Sequence, residues 1–187
     1  MIIEPQPSLL LEVDDAAYER ATRDPLTGTH NWQSFNERMR AEVAFSMRHH
    51  TPLSMLRVDL DHFKQLNERI GLRDAAAALR TTAQTLVKMV RVEDLVARID
   101  HDEFAVLSRG IGLRNATLFG ERIRKGIAAL EIASPSGTGE IIRFTCCVGV
   151  ASFEEPVPKK DADELSNAAN EALSRAKAEG RNRVITG

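Results

Sequence analysis

Two apolar runs separated by three charged residues constrain this chain more than any other feature. LVARI (95–99) and EFAVLS (103–108) flank Asp100, His101 and Asp102. Short runs rich in β-branched and aromatic residues on either side of a polar turn read as a β-hairpin. A hairpin fixes an antiparallel pair in the middle of the chain, and the segments around it alternate between strand and helix patterns. PLSMLRVDL gives a buried strand over 53–60 with Asp59 near its C-terminal end, and HFKQLNERIG a short helix closed by Gly71. The alanine-rich stretch from Leu72 to Val90 is a longer helix of high intrinsic propensity. Upstream, Trp32, Phe35, Met39, Val43 and Met47 recur at helical spacing, and Trp32 is read as a core or packing residue. Downstream come an amphipathic helix in ATLFGERIRKGIAALEI, a Gly/Ser loop, one strand in IIRFTCCVGVASF, a helix in DELSNAANEALSRAKAEG closed by Gly180, and a last short strand in RVIT. Helices interleaved with strands around one hairpin predict an α/β fold with a mixed sheet rather than a doubly wound parallel one.

Length and composition set the class. A chain of 187 residues, 43% hydrophobic and 28% charged, supports one domain with a sizeable core. We divide it into residues 1–22, an extended lead with Pro5 and Pro7 followed by a helix from Asp14, and the domain proper at residues 23–187. A net charge of −2 gives no global attraction to nucleic acid or an anionic membrane, so any anionic ligand must be caught locally. No apolar stretch reaches membrane-spanning length and the first residues lack a basic export signal, so the expected setting is cytoplasmic. Cys146 and Cys147 are adjacent in a strand, point to opposite faces and do not pair with one another, as in a reducing compartment. His49 and His50 have no partner cluster and read as a solvated helix end.

Five segments, in order, carry a family resemblance: RDPLTGTHNWQSF, VDLDHFKQLNERIG, RVEDLVARIDHDEF, FTCCVGVAS and ANEALSRAKAEGRNRV, spanning about residues 23 to 184. Together they resemble the signature blocks of GGDEF domains, the diguanylate cyclases of bacterial second-messenger signalling. The resemblance implies a mostly antiparallel central sheet flanked by helices, like the palm of nucleotide cyclases. It implies condensation of two GTP molecules into cyclic di-GMP, with Mg2+ held by Asp59, Asp102 and the backbone carbonyl of Leu60. Glu103 would stand beside them as a further acid, Asn67 would touch guanine, and Lys177 and Arg181, read as i and i+4 on one helical face, would contact phosphate.

This sequence departs from the family where that chemistry is done. The two glycines of the signature turn are Asp100 and His101, and the guanine-reading acid is Ala76. Leu72 and Ser174 replace a histidine and a tyrosine. Glycines allow positive φ and let backbone approach a phosphate without a β-carbon in the way. Asp100 adds a negative charge, and two like charges ~4 Å apart repel by roughly 4 kcal/mol at an effective dielectric near 20. Losing a buried acceptor for guanine N–H groups costs about 1 to 3 kcal/mol. Asp59, Asp102, Glu103, Asn67, Lys177 and Arg181 are therefore read as vestiges of a catalytic site.

The family's product-binding motif, R-x-x-D ahead of the turn, is matched by Arg91 and Asp94, with Arg122 as the second arginine of that site. An arginine fork suits guanine acceptors and phosphate oxygens, while aspartate accepts from guanine N1 and N2. Taken without the resemblance, Arg91 and Asp94 would be an exposed ion pair of little consequence. The expectation is a catalytically inactive cyclic di-GMP receptor that requires no cofactor and acts on a protein partner or adjoining signalling domain, or as a homodimer. The alternatives are a residual diguanylate cyclase, the one case that needs Mg2+, and a scaffold that binds no nucleotide.

Overall fold

The computed structural model describes residues 15–154 and 161–187. The extended lead read at 1–13 lies outside them. The elements run α1 (Asp15–Thr22), β1 (His30–Asn31), α2 (Trp32–His49), β2 (Leu53–Leu60), α3 (Phe63–Met89), β3 (Leu95–Arg98), β4 (Glu103–Arg109), α4 (Leu113–Ala128), β5 (Ile132–Ala133), β6 (Ile141–Ile142), β7 (Cys146–Phe153), α5 (Ala162–Ala178) and β8 (Val184–Thr186). Six strands form one sheet in the order β1-β3-β4-β2-β7-β8, and β5 with β6 forms a separate ribbon. The three inner pairings are antiparallel, and the outer ones, β1 with β3 and β7 with β8, are parallel.

Alternation along the strands divides the core. Leu56, Val58, Phe104, Val106 and Val148 face α3 and α4. Leu53, Met55, Ala105, Leu107 and Ala151 face the other way, onto Phe35 and Met39 of α2 and Leu165 and Ala169 of α5. Cys146 and Cys147 fall on opposite faces, both buried. Gly149 lets α5 approach β7, because a β-carbon there would strike the α5 backbone at Ala169 and Leu173.

Local chemistry sets the helix ends. Asn31 caps α2 by accepting from the Ser34 N–H, and Asp161 and Glu164 form a reciprocal capping box at α5. Gly71 leaves helical geometry (φ 79°, ψ 167°) and divides α3 into the short and long helices read from the sequence. Just beyond it, buried Asp74 accepts from the hydroxyls of Ser134 and Ser136, tying α3 to the β5–β6 loop.

One expectation changes, one strand is new, and the reading of Trp32 narrows. The segment read as one strand over IIRFTCCVGVASF is two, β6 and β7. The chain turns between them, where the Asp61 N–H donates to the Thr145 carbonyl at 2.9 Å and the Thr145 hydroxyl donates to the Asp61 carboxylate at 2.6 Å. The two-residue strand β1 is too short for any periodicity to reveal. Of the two roles read for Trp32, core or packing, the structure gives packing: the side chain is 41% exposed and stacks on buried Phe35. Among the described residues, no helix is long and apolar enough to cross a membrane.

Candidate functional site

Two separate places collect the residues singled out in the sequence. The first is the end of the sheet where β2 finishes and the β3–β4 hairpin turns. Asp59 lies directly across from Glu103, and the Leu60 N–H donates to the Asp102 carbonyl at 3.2 Å, so pairing of β2 with β4 brings three acidic residues together. Two of the carboxylates are already engaged. Lys177 Nζ donates to Asp59 Oδ2 at 2.6 Å, and Arg57 Nε donates to Glu103 Oε1 at 2.5 Å. Burial pushes the Asp59 carboxyl up to about 6; Lys177 opposes this, while Asp102 and Glu103 add to it. Among the described residues no group of three acidic, histidine or cysteine side chains converges as a metal site.

The turn itself is closed by its own side chains. The His101 N–H donates to Asp100 Oδ1 at 2.8 Å, and Asp100 N–H and Ile99 N–H both donate to the Glu103 carbonyl. Neither Asp100 nor His101 takes positive φ, so the turn needs no glycine to close. The His101 amide is thus taken up by the carboxylate of its neighbour. The Asp100 side chain is 67% exposed, so water screens its repulsion of an anion below the value for a fixed pair. Arg98 braces the turn from below. Its guanidinium donates to the His101 carbonyl at 2.6 Å and pairs with Asp24 at 3.3 Å. Burial raises the Asp24 pKa, but bonds from Thr27 and the charge of Arg98 together hold it below its usual value.

Asn67 lines a cavity of about 460 Å³ with Phe63, Leu72, Ala76, Arg98 and Asp102. Its Oδ1 is buried without a partner among the described residues. The cavity is apolar at Leu72, Ala75, Ala76 and Leu79. Lys177 and Arg181 do not share a helical face. Helix α5 ends at Ala178, Gly180 takes φ 113° and Arg181 sits beyond it in left-handed backbone (φ 62°). Buried Asp61 fixes that loop by accepting from the Asn182 N–H and the Cys147 thiol, both at 3.0 Å. Burial and Asp61 together push the Cys147 thiol up to about 12.

The second place lies between the C-terminal end of α3 and helix α4. Arg91, Asp94 and Arg122 line one cavity of about 250 Å³ there, with Met89, Ser108 and Phe119. Arg91 and Asp94 are not an ion pair with each other. Asp94 Oδ2 accepts from the Arg91 backbone N–H at 3.0 Å, while the Arg91 guanidinium is 63% exposed and among the described residues has only Glu93, at 4.0 Å. Asp94 Oδ1 is buried with no hydrogen-bond partner among the described residues. Arg122 is held in place by donating to the Met89 carbonyl at 2.8 Å and by stacking 4.7 Å above the Phe119 ring. One arginine is thus loosely held, one is aimed, and a carboxylate oxygen is left waiting for a donor.

Sequence reading misses the Arg57–Glu103 pair, the Arg98–Asp24 brace, the Asp61 hub and Ser108. Their partners lie 46, 74 and 84 or more residues away for the first three, and no local pattern reports such contacts.

Comparison with known proteins gives a consistent picture. The family model described as "Diguanylate cyclase, GGDEF domain" matches residues 21–183. The diguanylate cyclase DgcP of Pseudomonas aeruginosa is 34% identical over 166 residues, which cover 89% of this chain and 24% of that protein. This chain spans between 24% and 38% of the length of the first curated relatives it matches. Among solved structures, the GGDEF domain of DgcB from Caulobacter crescentus, crystallised with c-di-GMP, superposes with TM-score 0.83 at 25% identity, covering 89% of this chain and 95% of that one. The diguanylate cyclase SiaD in complex with its activator SiaC, from Pseudomonas aeruginosa, superposes with TM-score 0.83 at 30% identity, covering 92% of this chain and 64% of that one. The five signature segments, the six-stranded mixed sheet and these matches agree, and the chain belongs to the GGDEF domain family.

Proposed function

We propose that this chain is a GGDEF domain that no longer condenses GTP and serves as a receptor for cyclic di-GMP, bound at the cavity of Arg91, Asp94 and Arg122. The observation that carries this reading is the contrast between the two sites. At the hairpin, the groups that would meet a triphosphate are spent on internal bonds: Asp59 on Lys177, Glu103 on Arg57, and the His101 amide on Asp100. At the second cavity, Arg91 is only loosely paired and Asp94 Oδ1 has no donor among the described residues. A guanine edge supplies N1–H and N2–H donors to that oxygen, and its O6 and N7 suit an arginine fork. Phosphates of the same ligand lie within the field of the two arginines. The ligand's effect passes to a protein partner, to an adjoining signalling domain or to a second copy of the chain. In support, DgcB is described with c-di-GMP and SiaD with a protein activator.

The test is calorimetric titration of the chain with cyclic di-GMP, repeated with Arg91→Ala. Charge-assisted hydrogen bonds are worth about 1.5–3 kcal/mol, so the variant should bind roughly ten- to a hundredfold more weakly with its fold intact. A chain that gives no heat with cyclic di-GMP is not a receptor for it.

The adjacency of Asp59, Asp102 and Glu103 favours a second reading, a residual cyclase in which GTP phosphates and Mg2+ displace Lys177 from Asp59. Appearance of cyclic di-GMP on incubation with GTP and Mg2+ would establish it.

A further inference from the structure

Ser108 is the one buried hydroxyl of the β4 strand, and no other described residue hydrogen-bonds to it. It stands opposite Ser54 on the central ladder, and by strand alternation shares the face of Phe104 and Val106, under α3 and α4. Ser54 is engaged: its hydroxyl donates to the Ile111 carbonyl at 2.7 Å and lies 3.0 Å from the Ser152 hydroxyl. Ser108 is 1% exposed, and its Oγ has no partner among the described residues.

An unsatisfied buried hydroxyl is costly, and native interiors pair nearly all such groups. A serine at such a position calls for an explanation, and its surroundings offer one. Ser108 lines the same cavity as Arg91, Asp94 and Arg122, and Asp94 also carries an oxygen, Oδ1, without a partner among the described residues. Two residues with polar atoms unpartnered among the described residues therefore line one cavity. The volume of about 250 Å³ accommodates several waters, or a heterocyclic base in their place. A ligand that displaces those waters binds well only if it replaces their hydrogen bonds.

We infer that Ser108 is a ligand-contacting residue of this cavity, with its hydroxyl hydrogen-bonded to the base that Asp94 reads. The inference rests on the cyclic di-GMP reading above and deepens it. Asp94 accepts, so it takes the N1–H and N2–H edge of guanine. With N7 and one lone pair of O6 taken by an arginine fork, the second lone pair of O6 is the acceptor left on that side of the base, and Ser108 has a proton to give. The cavity then reads donors with one wall and acceptors with another. A base that lacks N1–H, as adenine does, would face Asp94 with an acceptor.

The experiment uses the whole chain, wild type and Ser108→Ala, with calorimetric titration of cyclic di-GMP and thermal melting without ligand. A ligand-contacting hydroxyl predicts affinity weakened about three- to tenfold, the loss of one neutral hydrogen bond, with the melting temperature of the free chain unchanged or higher because an orphan group is gone. Equal affinity of the two proteins would overturn the assignment while leaving the receptor reading intact. So would a lower melting temperature of the free variant at equal ligand-induced shift, which marks a structural hydroxyl. Wild-type chain that does not bind cyclic di-GMP would remove the receptor reading itself, and this assignment with it.

Discussion

Replacing Asp59 by asparagine should make the protein more stable, although it breaks an ion pair. Asp59 is 13% exposed at its side chain and titrates near 6 rather than 3.8, because burial and the charges of Asp102 and Glu103 outweigh Lys177. A carboxyl with a raised folded-state pKa contributes full stability below its unfolded pKa and loses it as pH rises through the folded one. At about pH 8 the ionised Asp59 therefore costs the folded chain at most about 3 kcal/mol, from 1.36 kcal/mol for each pH unit between the two values. Solvent screening at the open end of the sheet, and loss of the Lys177 pair, reduce this to an expected gain of about 1–2 kcal/mol. Lys177 is 37% exposed and can turn to water, so freeing it costs little. For a chain of this size the gain corresponds to roughly 3–6 °C in melting temperature. Thermal or urea denaturation of both proteins should show the advantage at about pH 8, a shrinking one through about pH 6, and none near pH 4. An Asp59→Asn variant less stable by the same margin at every pH would refute the reasoning and show that the Lys177 pair outweighs the burial of its partner.

Two further perturbations test other parts of the account. Combining Asp100→Gly, His101→Gly and Ala76→Asp frees the turn amide, removes the anion and restores a guanine acceptor, so GTP affinity should rise by about tenfold or more; unchanged titration curves would mean that the cavity is closed to GTP for another reason. Asp61→Ala removes the acceptor shared by Thr145, Cys147 and Asn182, and should lower stability by about 3 kcal/mol or more, read as a fall of roughly 6–12 °C in melting temperature.

Where the sequence is regular, the fold is legible in it. The alternation of Leu53–Leu60 and the two halves of the hairpin give β2, β3 and β4 at nearly their observed limits, and Gly71 marks the break in α3. Periodicity does not reveal the second cavity; Arg91, Asp94 and Arg122 are singled out only by the resemblance to GGDEF domains, and the structure lines one cavity with all three. What sequence cannot carry is pairing between distant segments. The continuous apolar look of residues 141–153 hides the turn at Thr145, whose hydroxyl is taken up by Asp61, 84 residues earlier. Arg181 keeps helical spacing from Lys177 in the sequence, yet α5 ends before it and Gly180 turns the chain away. Trp32 fits the apolar stripe of α2 but falls at its first residue, where its ring is left partly in solvent. At the hairpin, Asp100 and His101 are visible as departures from the family, but only the folded turn shows that Asp100 occupies the amide of its neighbour.

The most direct measurement is a paired titration of the same preparation, once with cyclic di-GMP and once with GTP and Mg2+. Cyclic di-GMP should bind at about micromolar concentration or tighter, and GTP at least about a hundredfold more weakly, the equivalent of some 2.8 kcal/mol of lost contacts and added repulsion. GTP binding as tight as cyclic di-GMP, with the cyclic dinucleotide accumulating in the titration cell, would contradict the account and return this domain to the working cyclases.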